Sequence, residues 1–272
     1  MIISRNKTAF ILSGIITFLA AVVSGGGLVM KNLYHDNAFV KMAWYTNDMI
    51  TFFMVVPLLI VALFLAQKGD IRWLLILLGL LGYVFYNFAF YLFGAAFNVL
   101  FLIYAALLSL SACTLVLFIS QSSLSNIALN FSEKTPVKWI SIYLFLIAFM
   151  LFIVELSMIA PFLTSNTIPE TIRLTGSSTS VVFALDFSIV MPVSVIAAIL
   201  LWQRRSWGFV MGIIMLVKGF TYGLVLCVGT VSLAYSDAYG KWDSLMPLYI
   251  VLAVGGLFCC WLLLKNLKEI KV

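Results

Sequence analysis

The sequence predicts an all-α, polytopic membrane protein with eight transmembrane helices. Three observations carry that prediction. Of the 272 residues, 64% are hydrophobic. Only 10% are charged, against about 25% in soluble domains. The apolar residues also fall into eight continuous runs, joined by connections too short to hold a soluble domain. A helix crosses the ~30 Å hydrocarbon layer in about 20 residues, close to the length of each run. A barrel strand would alternate polar and apolar residues over about ten positions.

The expected spans are Thr8–Leu28, Asp48–Ala66, Trp73–Phe93, Asn98–Phe118, Trp139–Leu163, Ser180–Trp202, Gly208–Leu233 and Met246–Leu264. The first holds the small residues Ser24-Gly25-Gly26-Gly27 inside its apolar run, so it reads as an uncleaved span and not as a signal peptide. The second carries Asp48 at its start and Pro57 inside, and runs into the basic turn Gln67-Lys68-Gly69-Asp70-Ile71-Arg72. The third contains Gly82, Tyr83, Tyr86 and Asn87. The fourth is almost wholly apolar. The fifth carries Glu155 and Pro161. The sixth carries Asp186 and Pro192, then the basic turn Gln203-Arg204-Arg205-Ser206. The seventh holds Lys218, Gly219 and Tyr222, and the eighth Gly255-Gly256. The glycine pairs and the prolines read first as packing devices and kinks.

Spans two and three resemble spans six and seven in the order acid, proline, basic turn, glycine-aromatic helix. Pro57 and Pro192 are 135 positions apart, and Gly82 and Gly219 are 137 apart. These spacings suggest a four-plus-four internal repeat, with halves 1–134 and 135–272. Each half has an even number of spans, so its axis would run along the membrane normal.

An even number of spans puts both termini on one side. Arg5, Lys7, Lys68, Arg72, Lys134, Lys138, Arg204, Arg205, Lys265, Lys268 and Lys271 then share that side, and Lys31, Lys41, Arg173 and Lys241 lie opposite. Eleven against four points to cytoplasmic termini in a cell membrane. Trp73, Trp139, Trp202, Trp207 and Trp261 lie near the same ends, where indole rings anchor at the interface. The net charge of +6 is accounted for by this asymmetry and implies no nucleic acid.

Several chemistries are excluded. The single histidine, His35, lies in a connection, so haem held by two histidines is out. No H-E-x-x-H, G-x-S-x-G or Walker A pattern occurs. Cys113, Cys227, Cys259 and Cys260 form no C-x-x-C pair. No cofactor is implied.

What remains is a set of ionisable groups inside the membrane. Lys218 stands ten residues into span seven, about 15 Å deep. Glu155 and Asp186 lie roughly 9 Å farther toward the opposite face. A charge at a helix centre costs about 2.5–3.5 kcal/mol on insertion scales, so Lys218 calls for a partner or a use. The candidate site is Lys218, Glu155, Asp186 and Tyr222, with Asn87, Tyr83, Tyr86 and Asp48. Asp48 has a plainer reading as an acid at a helix N-terminus. Three functions compete. A small transporter or solute-binding protein would use Lys218 for an anionic solute, or the carboxylates for a cation or protons, in a cavity open to the outside. A receptor, sensor or accessory subunit would hold the charges as a buried pair that only fixes packing. A lipid-modifying enzyme would need a nucleophile or metal set that the sequence does not contain.

Overall fold

Each apolar run folds into one long helix. In the computed structural model, which describes residues 7–120, 124, 126–236 and 240–268, these are α1 (Lys7–Val29), α2 (Ala38–Gln67), α3 (Ile71–Gly94), α4 (Phe101–Ile119), α5 (Val137–Ser165), α6 (Val181–Trp202), α7 (Ser206–Ala234) and α8 (Met246–Lys265). All eight are long and apolar enough to cross a bilayer. The protein is a multi-pass, all-helical membrane protein. Among the described residues the sole β feature is an isolated bridge between Phe131 and Leu267. A short helix, Glu170–Thr175, lies between α5 and α6. Arg5 and Lys271 lie outside the described residues.

The side that carries Lys7 and Lys268 is called the near side here, and the opposite one the far side. On the near side the α4–α5 connection pairs with the end of α8. Ser132 N–H donates to Asn266 O at 2.9 Å, and Lys268 N–H donates to Asn130 O at 2.8 Å. Arg204 clamps the same connection through the carbonyls of Ser132 and Thr135. On the far side Asn37 Nδ2 donates to Leu174 O and Thr175 O, tying the α1–α2 connection to the short helix.

Local signals explain most helix ends. Asp70 caps α3 by accepting from Arg72 N–H at 2.8 Å, and Ser180 caps α6 by accepting from Phe183 N–H at 3.2 Å. The α2 start differs from the sequence reading by ten residues: Asn37 is the cap, accepting from Val40 N–H at 3.0 Å. Asp48 therefore sits inside the helix and has no helix-terminus role. The first part of α2 escaped notice because Thr46, Asn47 and Asp48 bury their polar side chains against protein, not lipid. Hydropathy alone reads such a segment as a loop.

Two helices contain a wide π turn, Thr51–Val55 in α2 and Asp186–Val190 in α6. Each ends two residues before a proline, Pro57 or Pro192. A proline lacks the N–H of a helix bond and crowds the carbonyl four residues earlier. The inserted residue of a π turn relieves that crowding locally. The two π turns, the two prolines and the left-handed turn residues Gly69 (φ 93°) and Arg204 (φ 54°) are all spaced by 135 positions.

Within the first half α1 packs on α2 and α4, α2 on α3, and α3 on α4. Within the second, α5 packs on α6 and lightly on α8, α6 on α7, and α7 on α8. The halves meet along α3 and α7, flanked by α2 against α7 and α6 against α3. Large apolar side chains such as Leu102, Phe145, Phe149 and Val254 point away from the bundle. In a bilayer they meet lipid tails as apolar as themselves.

The α3–α7 approach depends on two missing side chains. A Cβ on Gly79 would stand 2.5 Å from Val217 Cβ, and one on Gly82 would stand 2.6 Å from Ile214 Cγ2. Val217 lies 135 positions after Gly82 and Ile214 lies 135 after Gly79, so the two contacts are reciprocal. A methyl group has no room at Gly79 unless the helices separate. Gly79→Ala is expected to cost about 1–3 kcal/mol by overpacking, read as a lower Tm of the purified protein in detergent. Gly79→Ala with Val217→Ala should regain part of the loss. An unchanged Tm for the single variant would refute close packing at this crossing.

Candidate functional site

α5, α6, α7 and α3 bring Glu155, Asp186, Lys218, Tyr222 and Tyr86 together. Lys218 is 7% exposed, Asp186 6% and Glu155 5%, so these groups are set inside the bundle. Lys218 stands twelve residues into α7, about 18 Å from its near end.

Among the described residues the ammonium of Lys218 makes no ion pair within salt-bridge distance. Among the described residues the one such pair is Arg173 with Glu170, at 3.9 Å on the far side. Lys218 Nζ instead lies over the Tyr86 ring, 3.7 Å from its centroid, and 4.9 Å from that of Tyr222. The two rings meet edge to face with centroids 4.9 Å apart. Asp186 reaches the ammonium through Tyr86, whose hydroxyl donates to Asp186 Oδ1 at 2.8 Å. The tyrosine thus serves the cation with its face and the carboxylate with its edge. Desolvated cation–π contacts are worth about 2 kcal/mol, so the rings lessen the isolation of the charge without neutralising it. Asp186 and Glu155 also act on Lys218 electrostatically. Glu155 Oε2 is buried with no hydrogen-bond partner.

A cavity of about 30 Å³ opens beside Lys218, lined by Tyr143, Leu151, Ser194, Leu252 and Gly256 among others. That is the volume of about one water molecule. It lies between the four helices of the second half, where α5 and α8 touch only lightly. A larger hollow of about 250 Å³ sits apart on the far side, lined by Met30, Lys31, Asn32, Leu33, His35 and Val99.

The other three candidates stand in two neighbouring clusters. Tyr83 and Asn87 face α2. Asn47 Nδ2 donates to Asn87 Oδ1 at 2.8 Å, Tyr83 OH donates to Asn47 Oδ1 at 3.1 Å, and the Thr51 and Tyr83 hydroxyls are 2.8 Å apart. Asp48 is farther out, held by Tyr34 OH at 2.5 Å and Tyr91 OH at 2.8 Å. The sequence reading missed Asn47, Thr51, Tyr34 and Tyr91. A signal for one of them was present: Tyr83, Asn87 and Tyr91 recur every four residues and so form one polar stripe on α3.

The first two clusters correspond by position. Asp186 follows Thr51 by 135 residues, and Lys218 follows Tyr83 by 135. Thr51 and Asp186 each open a π turn. Where the first half places two hydroxyls in contact, the second half places a carboxylate and an ammonium.

These features define an integral membrane protein of eight helices with an ionisable centre built on α5, α6 and α7 and covered by Tyr86 of α3. Comparison with known protein families, curated proteins and solved structures finds no match for this chain.

Removing one member of a buried charge set costs more than removing a balanced pair, about 3–5 kcal/mol where the survivor stays unpaired. Lys218→Met is therefore expected to lower the Tm sharply, and Lys218→Met with Asp186→Asn to restore part of it. Equal Tm values for the single and double variants would show that the two groups are not coupled.

Proposed function

We propose that this chain is a small transporter or solute-binding protein of the cell membrane. Its site is the centre formed by Lys218, Asp186 and Glu155, and it handles a proton or a small cation. The observation that carries this reading is the neutral counterpart in the first half. The Thr51–Tyr83 contact satisfies the corresponding position with two hydroxyls, so the fold does not need charge there. Charge at the helix centre is expensive, and its presence at this position in the second half, where the first half has hydroxyls, implies a use. With all three groups ionised, the centre has one positive and two negative charges. Its capacity is for one more positive charge. The unpartnered Glu155 Oε2 is the free acceptor, and the cavity beside Lys218 suits a species no larger than water.

The reading includes a four-plus-four repeat about an axis along the membrane normal. The common spacing of the π turns and prolines supports it, as do the reciprocal glycine contacts of α3 and α7, which resemble those of a two-fold interface. It also includes cytoplasmic termini, supported by the basic near side. Orientation is testable with single cysteines, in a background lacking the native four, at Lys134 and Lys241. In intact cells an impermeant maleimide should label position 241 and not 134. The opposite pattern would reverse the topology.

Proteoliposomes with a trapped pH dye and an imposed potassium diffusion potential test the function. Wild type should acidify the lumen when the interior is negative, and Glu155→Gln should abolish the flux, a loss of at least about tenfold. Flux equal to that of empty liposomes for wild type would remove protons from the reading, and a sodium or potassium tracer would then decide for a cation. A second reading, a non-transporting protein with a purely structural centre, is favoured by the small size of the cavity. It would be supported if neither protons nor cations move.

A further inference from the structure

We propose that Asp48 is a proton-binding site separate from the Lys218 centre, and that its proton latches the far-side connection between α1 and α2 onto the bundle. This inference does not depend on the transport reading.

The connection, residues 30–37, is a strap pinned at several points. Leu33 and Tyr34 are buried. Asp36 accepts from Trp44 Nε1–H and from Ala96 N–H, both at 3.1 Å. Asn37 reaches the carbonyls of Leu174 and Thr175. The deepest pin is Tyr34, whose hydroxyl meets Asp48 Oδ2. The bare backbone of Gly27 makes room for this contact. A Cβ there would collide with Asp48 Oδ2 and lie 2.7 Å from Tyr34 Oη. Trp44 and Tyr91 wall the site, with ring centroids 4.6 Å apart.

Asp48 is 1% exposed. The elements packed round it bring no cation among the described residues: hydroxyls come from Tyr34 of the strap, Tyr91 and Tyr83 of α3 and Tyr104 of α4, and α1 offers the bare backbone of Gly27. Asp36 is the other acid near this group of tyrosines. Lys31 and His35 line the far-side hollow, and Lys218 on α7 belongs to the centre around Asp186. Burial and the neighbouring Asp48 push the Tyr34 phenol up, so it keeps its proton.

With Asp48 ionised, Tyr34 and Tyr91 both donate to it, and a negative charge is buried without a counter-charge. With Asp48 protonated on Oδ1 by a proton from water, its O–H donates to Tyr91 Oη, the Tyr91 hydrogen turns to Trp44 O at 3.2 Å, and Tyr34 still donates to Oδ2. Proton uptake thus removes the buried charge and leaves each of these groups a partner. Ionisation favours release of Tyr34 and hydration of Asp48. Acid seats the strap and alkali loosens it.

The test is hydrogen–deuterium exchange of residues 30–37 in the full chain in lipid nanodiscs, corrected for intrinsic exchange at each pH. In wild type, protection should fall as pH rises from mildly acidic to mildly alkaline, by up to about tenfold per pH unit, the ceiling for one linked proton. Asp48→Asn, neutral at every pH, should stay protected throughout, and Tyr34→Phe should be poorly protected throughout. The charge-balanced double variant Lys218→Met with Asp186→Asn should keep the pH dependence of strap protection, which separates this site from the charged centre. A pH-independent wild type, or a response that survives Asp48→Asn, would overturn the proposal. A double variant that keeps its fold but loses the pH dependence would overturn the separation. Should Asp48→Asn fail to fold, infrared spectra of wild type read the same proton: a carboxylic-acid C=O band must vanish over the pH range in which the strap loosens. A band that stays, or never exists, refutes the latch.

Discussion

The contact of α3 with α7 at Gly79 and Gly82 is the constraint on which the rest of the molecule depends. Between two helices in lipid there is no hydrophobic drive, so close van der Waals packing has to hold them. Glycine lets Val217 and Ile214 sit against the facing backbone. The same approach carries Tyr86 and Tyr222 into edge-to-face contact about one turn farther along. Lys218 follows Val217 directly, so the residue that packs on Gly79 also aims the ammonium at Tyr86. The site is a consequence of the packing.

With no water in the hydrocarbon layer, each buried polar group must find a partner within the protein. The protein solves this in three ways within a few turns of helix. Asn47, Asn87, Thr51 and Tyr83 bond to one another without charge, with Asn87 Nδ2 left over. Asp48 is surrounded by tyrosine hydroxyls. Lys218 is held by ring faces, with a carboxylate behind one of them. These solutions differ in how firmly they fix the protonation state. The neutral cluster has nothing to titrate. The other two hold ionisable groups, which is why proton chemistry is proposed for them and not for the first.

The two faces of the bundle are closed differently. On the near side, backbone bonds and the Arg204 clamp join the middle connection to the end of α8, which ties the first half's exit to the second half's last helix. On the far side the closure runs through side chains: Tyr34, Asp36 and Asn37 each reach a different partner. Backbone pairing is insensitive to side-chain protonation, whereas a tyrosine–carboxylate contact is not.

Eight spans, their order and the near-side excess of basic residues were legible in the sequence, because lipid imposes length and apolarity on each span separately. The intramembrane charges Glu155, Asp186 and Lys218 were legible for the same reason: a charge within an apolar run stands out. Asp48 was misread as a helix start because hydropathy cannot distinguish a polar face turned to protein from one turned to water. Tyr86 and Tyr222 were named beside Lys218 from the sequence, but the placing of the Tyr86 ring over the ammonium was beyond it, since Tyr86 lies on another helix whose approach is set by Gly79 and Gly82. So was the correspondence of Thr51 with Asp186 and of Tyr83 with Lys218, which requires the π turns as landmarks. One-dimensional spacing determined which groups enter the membrane. The crossing of α3 and α7 decided which of them meet, because contact between helices depends on side-chain volume at the point of approach.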